Sequence, residues 1–286
     1  MTLGRWARGR WILAGAAAVT VLAGCVSTTT TTTSIPSNAD AETTRTPTGS
    51  SPDLSTASDQ TDAQKRARIR LELASAYYSQ GQTNTALDEL KQALAADPNS
   101  AEAYNLRGLI YTTLNDDALA EESFRRALQL NARDGSAMHN YAWFLCQRRR
   151  FPEADRMFEQ AVGQPQYRGV TVTLLAQGVC QSRAGRPAEA EKTLLRSYEL
   201  DPGNPATAVN LADLFYRKGE YERARFYVRR VNNNPELSNA ETLWLAARIE
   251  NRLGNRQGAN DLGSQLRSRY PRSREAAAFE QGRFNE

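Results

Sequence analysis

The chain has 286 residues, 24% of them charged, a formal net charge of +4 and a single histidine, His139. One histidine rules out a multi-histidine metal site and leaves a Ser-His-Asp or Cys-His catalytic set only through His139. No glycine-rich loop follows a strand-like run, so a phosphate cradle is excluded as well.

The first element is a basic start, Arg5, Arg8 and Arg10, leading into an apolar run from Trp11 to Ala23 that is broken only by Gly15 and Thr20. That run is shorter than the roughly 20 residues a membrane-spanning helix needs, and it has the charge and length pattern of an export signal. It ends in Leu22-Ala23-Gly24-Cys25, which matches the lipobox of bacterial lipoproteins: a branched residue, two small ones and the cysteine whose thiol takes the lipid. The expectation is a signal peptide over 1–24 and lipidation at Cys25. A cleaved signal with a chance cysteine, or an uncleaved anchor, are the other readings. Cleavage before Cys25 removes three arginines and no acid, so the formal charge falls from +4 to +1 and carries no nucleic-acid inference. Val26 and Ser27 follow the cysteine, and the absence of Asp there favours an outer-membrane, periplasm-facing lipoprotein in a diderm host. Acylation at more than one position gives stable anchoring.

Residues 25–62 are a linker of Thr, Ser, Pro and Asp, with Thr28 to Thr33 in one run and only Ile35 and Leu54 as large apolar side chains past Val26. Such a segment cannot bury enough apolar area to offset its ordering entropy, and as a coil it reaches on the order of 30–40 Å.

Residues 63–286 repeat. Ala74, Tyr77, Gly81, Ala86, Leu90, Ala93 and Pro98 set a register. Shifts of 34, 34, 36, 34 and 35 carry its first small residue to Gly108, Ala142, Gly178, Ala212 and Ala247. The second-helix alanine recurs at Ala120, Ala154, Ala190, Ala224 and Ala259. A period near 34 with small residues in both halves and glycine between them is the pattern of tetratricopeptide (TPR) hairpins. The expectation is an all-α right-handed superhelix of six TPR hairpins, closed by a short capping helix from Ser273 to about Gln281.

In such a stack the concave face carries repeat positions 5, 9 and 12 of each first helix. Here these are Leu71, Ser75 and Tyr78; Asn105, Leu109 and Thr112; His139, Trp143 and Cys146; Leu175, Val179 and Ser182; Val209, Asp213 and Tyr216. The row is more apolar and aromatic than a solvated face and lacks a Lys/Asn carboxylate clamp. It therefore suits an extended or helical peptide, with Trp143 either as anchor or packed between hairpins, and His139 as a lining or packing residue. Cys146 and Cys180 lie on neighbouring first helices. In an oxidising compartment they form a disulfide across hairpins three and four, or else stay as two buried thiols. The paired acids Asp116-Asp117 and Glu121-Glu122 read as solvated turn or helix surface, so no catalytic residue, cofactor, metal or small-molecule substrate is expected.

The run Asn140-Tyr141-Ala142-Trp143-Phe144-Leu145-Cys146 leads into Phe151-Pro152-Glu153-Ala154, Phe158, Ala161, Pro165 and Tyr167. Gly178-Val179-Cys180, Leu243-Trp244-Leu245, Arg248-Ile249-Glu250 and Tyr270-Pro271-Arg272-Ser273 follow in order. In that spacing the segment from Ala67 to Arg274 resembles the type IV pilus biogenesis and stability lipoproteins, the PilW/PilF family of pilotins. The resemblance implies a non-catalytic role at the outer membrane, helping the pilus secretin to reach that membrane and assemble, or stabilising the fibre. Lipoprotein adaptors of peptidoglycan enzymes and components of the β-barrel assembly machine share the repeat and the lipobox and stand as alternatives. One departure is Arg149, within Arg148-Arg149-Arg150, where the family has a turn glycine: either its backbone is strained or the turn differs. The three arginines are a solvated turn or a patch for an acidic partner or lipid headgroup.

Overall fold

The computed structural model describes residues 61–285; Cys25, the rest of the expected signal and the expected linker up to residue 60 lie outside that range. Thirteen α-helices and no strand occur among the described residues. They pair in order as six antiparallel hairpins: α1 (Asp62–Ser79) with α2 (Thr83–Ala96), α3 (Ala101–Leu114) with α4 (Asp117–Leu130), and α5 (Gly135–Gln147) with α6 (Phe151–Val162). Next come α7 (Val170–Arg183) with α8 (Pro187–Leu200), α9 (Pro205–Arg217) with α10 (Tyr221–Asn232), and α11 (Ala240–Arg252) with α12 (Arg256–Arg269). The cap, α13 (Arg274–Glu280), closes the stack. The first helix begins at Asp62, one residue before the expected boundary, because Thr61 accepts from the Gln64 N–H and the Gln64 side chain answers in a capping box. No described helix is long and apolar enough to cross a membrane.

The two helices of each hairpin meet at the small residues. Ala74, Ala142, Ala212 and Ala247 are wholly buried. At the two glycines nothing larger fits: a Cβ on Gly108 would stand 2.6 Å from the Phe124 ring, and one on Gly178 2.6 Å from Leu194. Leu90, Phe124, Phe158, Leu194 and Val228 of the second helices fill the crossing. Each such side chain removed from water contributes roughly 1.5–3 kcal/mol.

One backbone device makes all six turns. At the end of each first helix one residue takes a left-handed conformation, the C-cap itself at Asn115 and the residue after the C-cap at Gly81, Arg149, Gly185, Gly219 and Gly254, with φ between 60° and 78°. The following N–H reaches back to the first helix's last turn, as from Gln82 to Tyr77, Arg150 to Leu145 and Glu220 to Phe215. This is the Schellman arrangement. The question raised by Arg149 is thereby answered: the turn is unchanged, and an exposed arginine takes the left-handed backbone at φ 60°. Its neighbours are not a free basic patch. Arg148 lies on Asp117, Nε to Oδ2 at 2.6 Å, and Arg150 on Glu121 at 2.8 Å, both clasping the preceding hairpin.

Hairpins join through two kinds of link. After α2, α4, α8 and α12 a four-residue link runs into an N-cap, Ser100, Asp134, Asn204 or Ser273, whose side chain accepts from the next helix. After α6 and α10 the link is longer, and these are where the repeat spacing becomes 36 and 35. In the first of these Tyr167 lies between Gly135 and Gly169, close enough that a Cβ on Gly135 would stand 2.6 Å from its ring.

A left-handed non-glycine residue costs about 1–2 kcal/mol, partly offset by the roughly 0.5–1 kcal/mol of extra freedom a glycine loses on folding. Arg149→Gly is therefore expected to stabilise by about 0.5–1 kcal/mol, a rise of a few degrees in the thermal midpoint followed by circular dichroism. Gly219→Ala should lower the midpoint; equal midpoints for both variants would contradict the turn argument.

Candidate partner-binding groove

The concave row divides by accessibility. Leu71 at 8% and Tyr216 at 9% exposure belong to the core, and Cys146 is buried. Ser75 is exposed, and Asn105, Leu109, Thr112, Trp143, Leu175, Val179, Ser182, Val209 and Asp213 keep part of their surface open. Tyr78 is half-buried and stitches hairpin one to hairpin two, its hydroxyl 3.3 Å from the Leu109 carbonyl, to which it donates, and 2.9 Å from the Thr113 hydroxyl. Asn140 donates to Asn105 at 3.1 Å and so joins the second and third first helices.

The structure brings Leu71, Ser75, Asn105 and Leu109 together around one cleft of about 450 Å³ between α1 and α3. Its floor is apolar, with Leu106 added, and its rim carries Arg68, Glu72 and Glu102. An apolar floor with a polar rim suits the side chains of a bound peptide, with orientation set at the edge.

Trp143 lies half-buried against the core of hairpins two and three, with the Arg183 guanidinium of α7 over its ring at 5.0 Å. It is thus both a packing residue and part of the groove surface. His139 faces inward. Its ring meets Phe158 edge-on at 6.0 Å, and Nδ1 is 2.9 Å from the Thr173 hydroxyl, itself 2.7 Å from the Tyr167 hydroxyl. Burial pushes the imidazole below its usual 6.5, so it is neutral and serves the joint between hairpins three and four. Among the described residues no group of three His, Cys, Asp or Glu side chains could hold a metal ion.

Cys146 and Cys180 are joined by a disulfide, Cα atoms 5.9 Å apart, which ties α5 to α7 beneath the groove. On the opposite side acids at one repeated position of the second helices bind the turn of the next hairpin: Glu121 to Arg150, Asp155 to Arg186, and Glu191 to Lys218, with Arg223 of α10 on Glu191 as well. Burial raises the Glu121 pKa, but hydrogen bonds from Arg150 and Tyr141 and the charges of Arg125 and Arg150 outweigh it and bring it below the ordinary 4.5. The same balance, with Lys218 and Arg223 as partners, lowers Glu191.

The sequence row stopped one hairpin short. Continuing it by 35 residues reaches Trp244 and Arg248 on α11, which share the concave register; the period alone would have found them.

Models of the tetratricopeptide repeat match residues 74–115, 101–134, 135–162 and 181–235. The type IV pilus assembly protein PilF of Pseudomonas aeruginosa is 30% identical over 219 residues, covering 77% of this chain and 86% of PilF. The chain belongs to the PilF/PilW family of type IV pilus biogenesis TPR proteins. A solved structure of PilW, described as a widely conserved type IV pilus biogenesis factor, superposes with a TM-score of 0.69 at 30% identity, covering 74% of this chain and 97% of PilW. The structure of Pseudomonas aeruginosa PilF gives 0.68 at 28% identity, covering 78% of this chain and all of that one. Membership in the PilF/PilW family makes this a TPR protein of type IV pilus biogenesis, built from a repeat that typically serves as a non-enzymatic scaffold.

Two measurements follow from this geometry. On the chain-entropy account, a bond closing 34 residues stabilises by about 3–4 kcal/mol. Purified without reductant, the protein should be lighter than its dithiol form by two hydrogens, and Cys146→Ala with Cys180→Ala should lose stability of that order; two freely alkylated thiols in the native oxidised protein would refute the bond. The carboxylates give the second. A carboxyl held below its ordinary 4.5 contributes stability that is complete above that value and lost as the pH falls through the folded value. Denaturant midpoints should therefore drop on acidification below that value, and Glu121→Gln should flatten the drop. An identical acid limb in the variant would assign the effect elsewhere.

Proposed function

We propose that this protein is a periplasm-facing outer-membrane lipoprotein, anchored through Cys25, that binds the type IV pilus secretin and assists its localisation and assembly. The reading rests on one observation above all: a family member of pilus biogenesis keeps apolar side chains accessible along its concave face, at Leu109, Trp143, Leu175, Val179 and Val209. Clefts and half-buried aromatics of this kind bind an extended or helical segment by apolar contact, with a few rim groups fixing its direction. The anchor follows from the lipobox at Leu22 to Cys25. The mechanism is binding alone: the groove holds the secretin segment while the anchor carries both to the membrane.

Crosslinking in cell envelopes tests this. The secretin should be recovered with the wild-type chain in excess over peptidoglycan hydrolases and barrel-assembly proteins. Trp143→Ala and Leu109→Ala, with helicity unchanged, should each weaken secretin binding, by about 2 kcal/mol if Trp143 is an anchor. Cys25→Ser should remove the protein from outer-membrane fractions. Recovery of hydrolases or barrel-assembly proteins instead of the secretin overturns the partner, and unaltered fractionation of Cys25→Ser overturns the anchor.

A further inference from the structure

In the last two hairpins the concave face is covered by the chain's own residues. The helix α13 ends in a left-handed turn at Gly282, φ 66°. There the Gly282 N–H donates to the Phe279 carbonyl at 3.0 Å and the Arg283 N–H to the Ala278 carbonyl at 2.9 Å. This is the same Schellman turn that reverses the chain after each first helix. It sets the Phe284 ring against Trp244, centroids 5.2 Å apart. The Phe284 carbonyl then accepts from the Tyr216 hydroxyl and from Arg248 Nε, each at 3.4 Å, while the Arg248 guanidinium lies 4.5 Å from the centre of the Tyr216 ring. Tyr216, Trp244 and Arg248 come from the concave positions of hairpins five and six. The concave positions that stay open elsewhere on the superhelix here hold one aromatic side chain and one backbone carbonyl.

The attachment differs from that of α13 itself. Phe279 fills the space left by Gly263, and a Cβ there would overlap its ring, so the helix is part of the core. Phe284 is only half-buried, and Gln281, Gly282, Arg283 and Asn285 around it are exposed. Its two hydrogen bonds lie beyond the usual range for their types. A short, largely exposed segment, held by the Phe284 ring against Trp244 and Phe279, by two long hydrogen bonds to its carbonyl and by contacts of Arg283, belongs to the low-stability end of a fold and opens without unfolding what it covers.

We propose that hairpins five and six form a peptide subsite for an aromatic side chain and the backbone carbonyl beside it, that the chain's own Gly282–Phe284 segment occupies this subsite as a displaceable latch, and that an extended partner segment bearing an aromatic residue binds there by displacing it. Trp244 supplies the ring face, Tyr216 and Arg248 supply the two donors, and any segment of that chemistry satisfies them. The inference is independent of which pilus component supplies the segment.

The test uses the full chain in detergent and, as probe, a fluorescein-labelled peptide with the sequence of residues 281–286, which carries Phe284 as its one aromatic. A latch docked about nine-tenths of the time raises the apparent Kd about tenfold. The Phe284→Ala chain should therefore bind the peptide about tenfold more tightly than the wild type. Adding Trp244→Ala should abolish that gain, and a peptide with alanine for its phenylalanine should not bind. Equal affinity of wild type and Phe284→Ala, or equal affinity for the two peptides, overturns the proposal. A second measurement needs no variant that could misfold: with 4-fluorophenylalanine placed at 284, peptide at ~1 mM, the effective concentration typical of a short tether, should move the fluorine resonance about halfway to its undocked position. A resonance that stays docked makes the segment a fixed cap and overturns the latch.

Discussion

Everything in this stack depends on how closely two helices can cross. The residue at the crossing is alanine or glycine in every hairpin, and the second helix sends a large side chain, Leu90, Phe124, Phe158, Leu194 or Val228, into the space it leaves. The sixth hairpin breaks this pattern. Its counterpart to Val228 is Gly263, which leaves nothing to fill the crossing, and Phe279 of α13 enters instead. The cap is therefore more than a polar lid on a finished repeat, because it supplies the side chain the last hairpin lacks. That requirement places α13 across α11 and α12, and its Schellman turn then delivers Phe284 to Trp244.

Contact between hairpins is arranged on two sides with different chemistry. On the second-helix side a repeated acid clasps the following turn, and Glu121, Asp155 and Glu191 do this in three successive joints. Partly exposed ion pairs contribute little each, but Glu191 is shared by two cations, Glu121 is reinforced by a phenol and Asp155 also accepts from the Gln181 amide, so they work as small networks. At the fifth joint the polarity reverses: Arg225 and Arg229 of α10 meet the buried Glu250 of α11, which also accepts from Asn255. On the first-helix side the bonds are densest between hairpins three and four, at the first of the two longer links. There the disulfide, the neutral His139, Thr173 and Tyr167 concentrate specific bonds where the regular four-residue link is missing.

Much of this was legible from the period of the sequence, and the reasons for the exceptions are physical. A period near 34 reports the crossing residues because their size is constrained in every copy, so hairpin number, helix order and the capping helix could all be read. The concave row was legible as a register but not as a surface. Leu71 and Tyr216 occupy the right positions yet sink below the face, since exposure depends on what the neighbouring hairpin and the segment after α13 place over them. Arg149 could be flagged as a departure, but only its φ shows that the turn tolerates it. The Phe284 contact could not be read at all. It pairs a residue outside the repeat with positions 40 and 68 residues away, and no periodicity carries that information.

The groove is consequently not one uniform surface. Near hairpins one and two it is an open cleft with an apolar floor and a charged rim. At hairpins three and four it rests on the disulfide-tied pair and presents Trp143 beneath Arg183. At hairpins five and six it is richest in aromatic rings and is already filled from within the chain. In a stack where each hairpin contacts only its neighbours, these three stretches can differ in rigidity as well as chemistry. The central stretch is the most constrained, crosslinked by the disulfide and bonded through His139. Its two flanks differ in turn, one open and one self-covered. With Phe284 acting as the proposed latch, a ligand long enough to run the whole groove would find preformed surface along the first four hairpins and would have to displace Phe284 only over the last two, so the cost of opening would select for segments that carry an aromatic residue at that end.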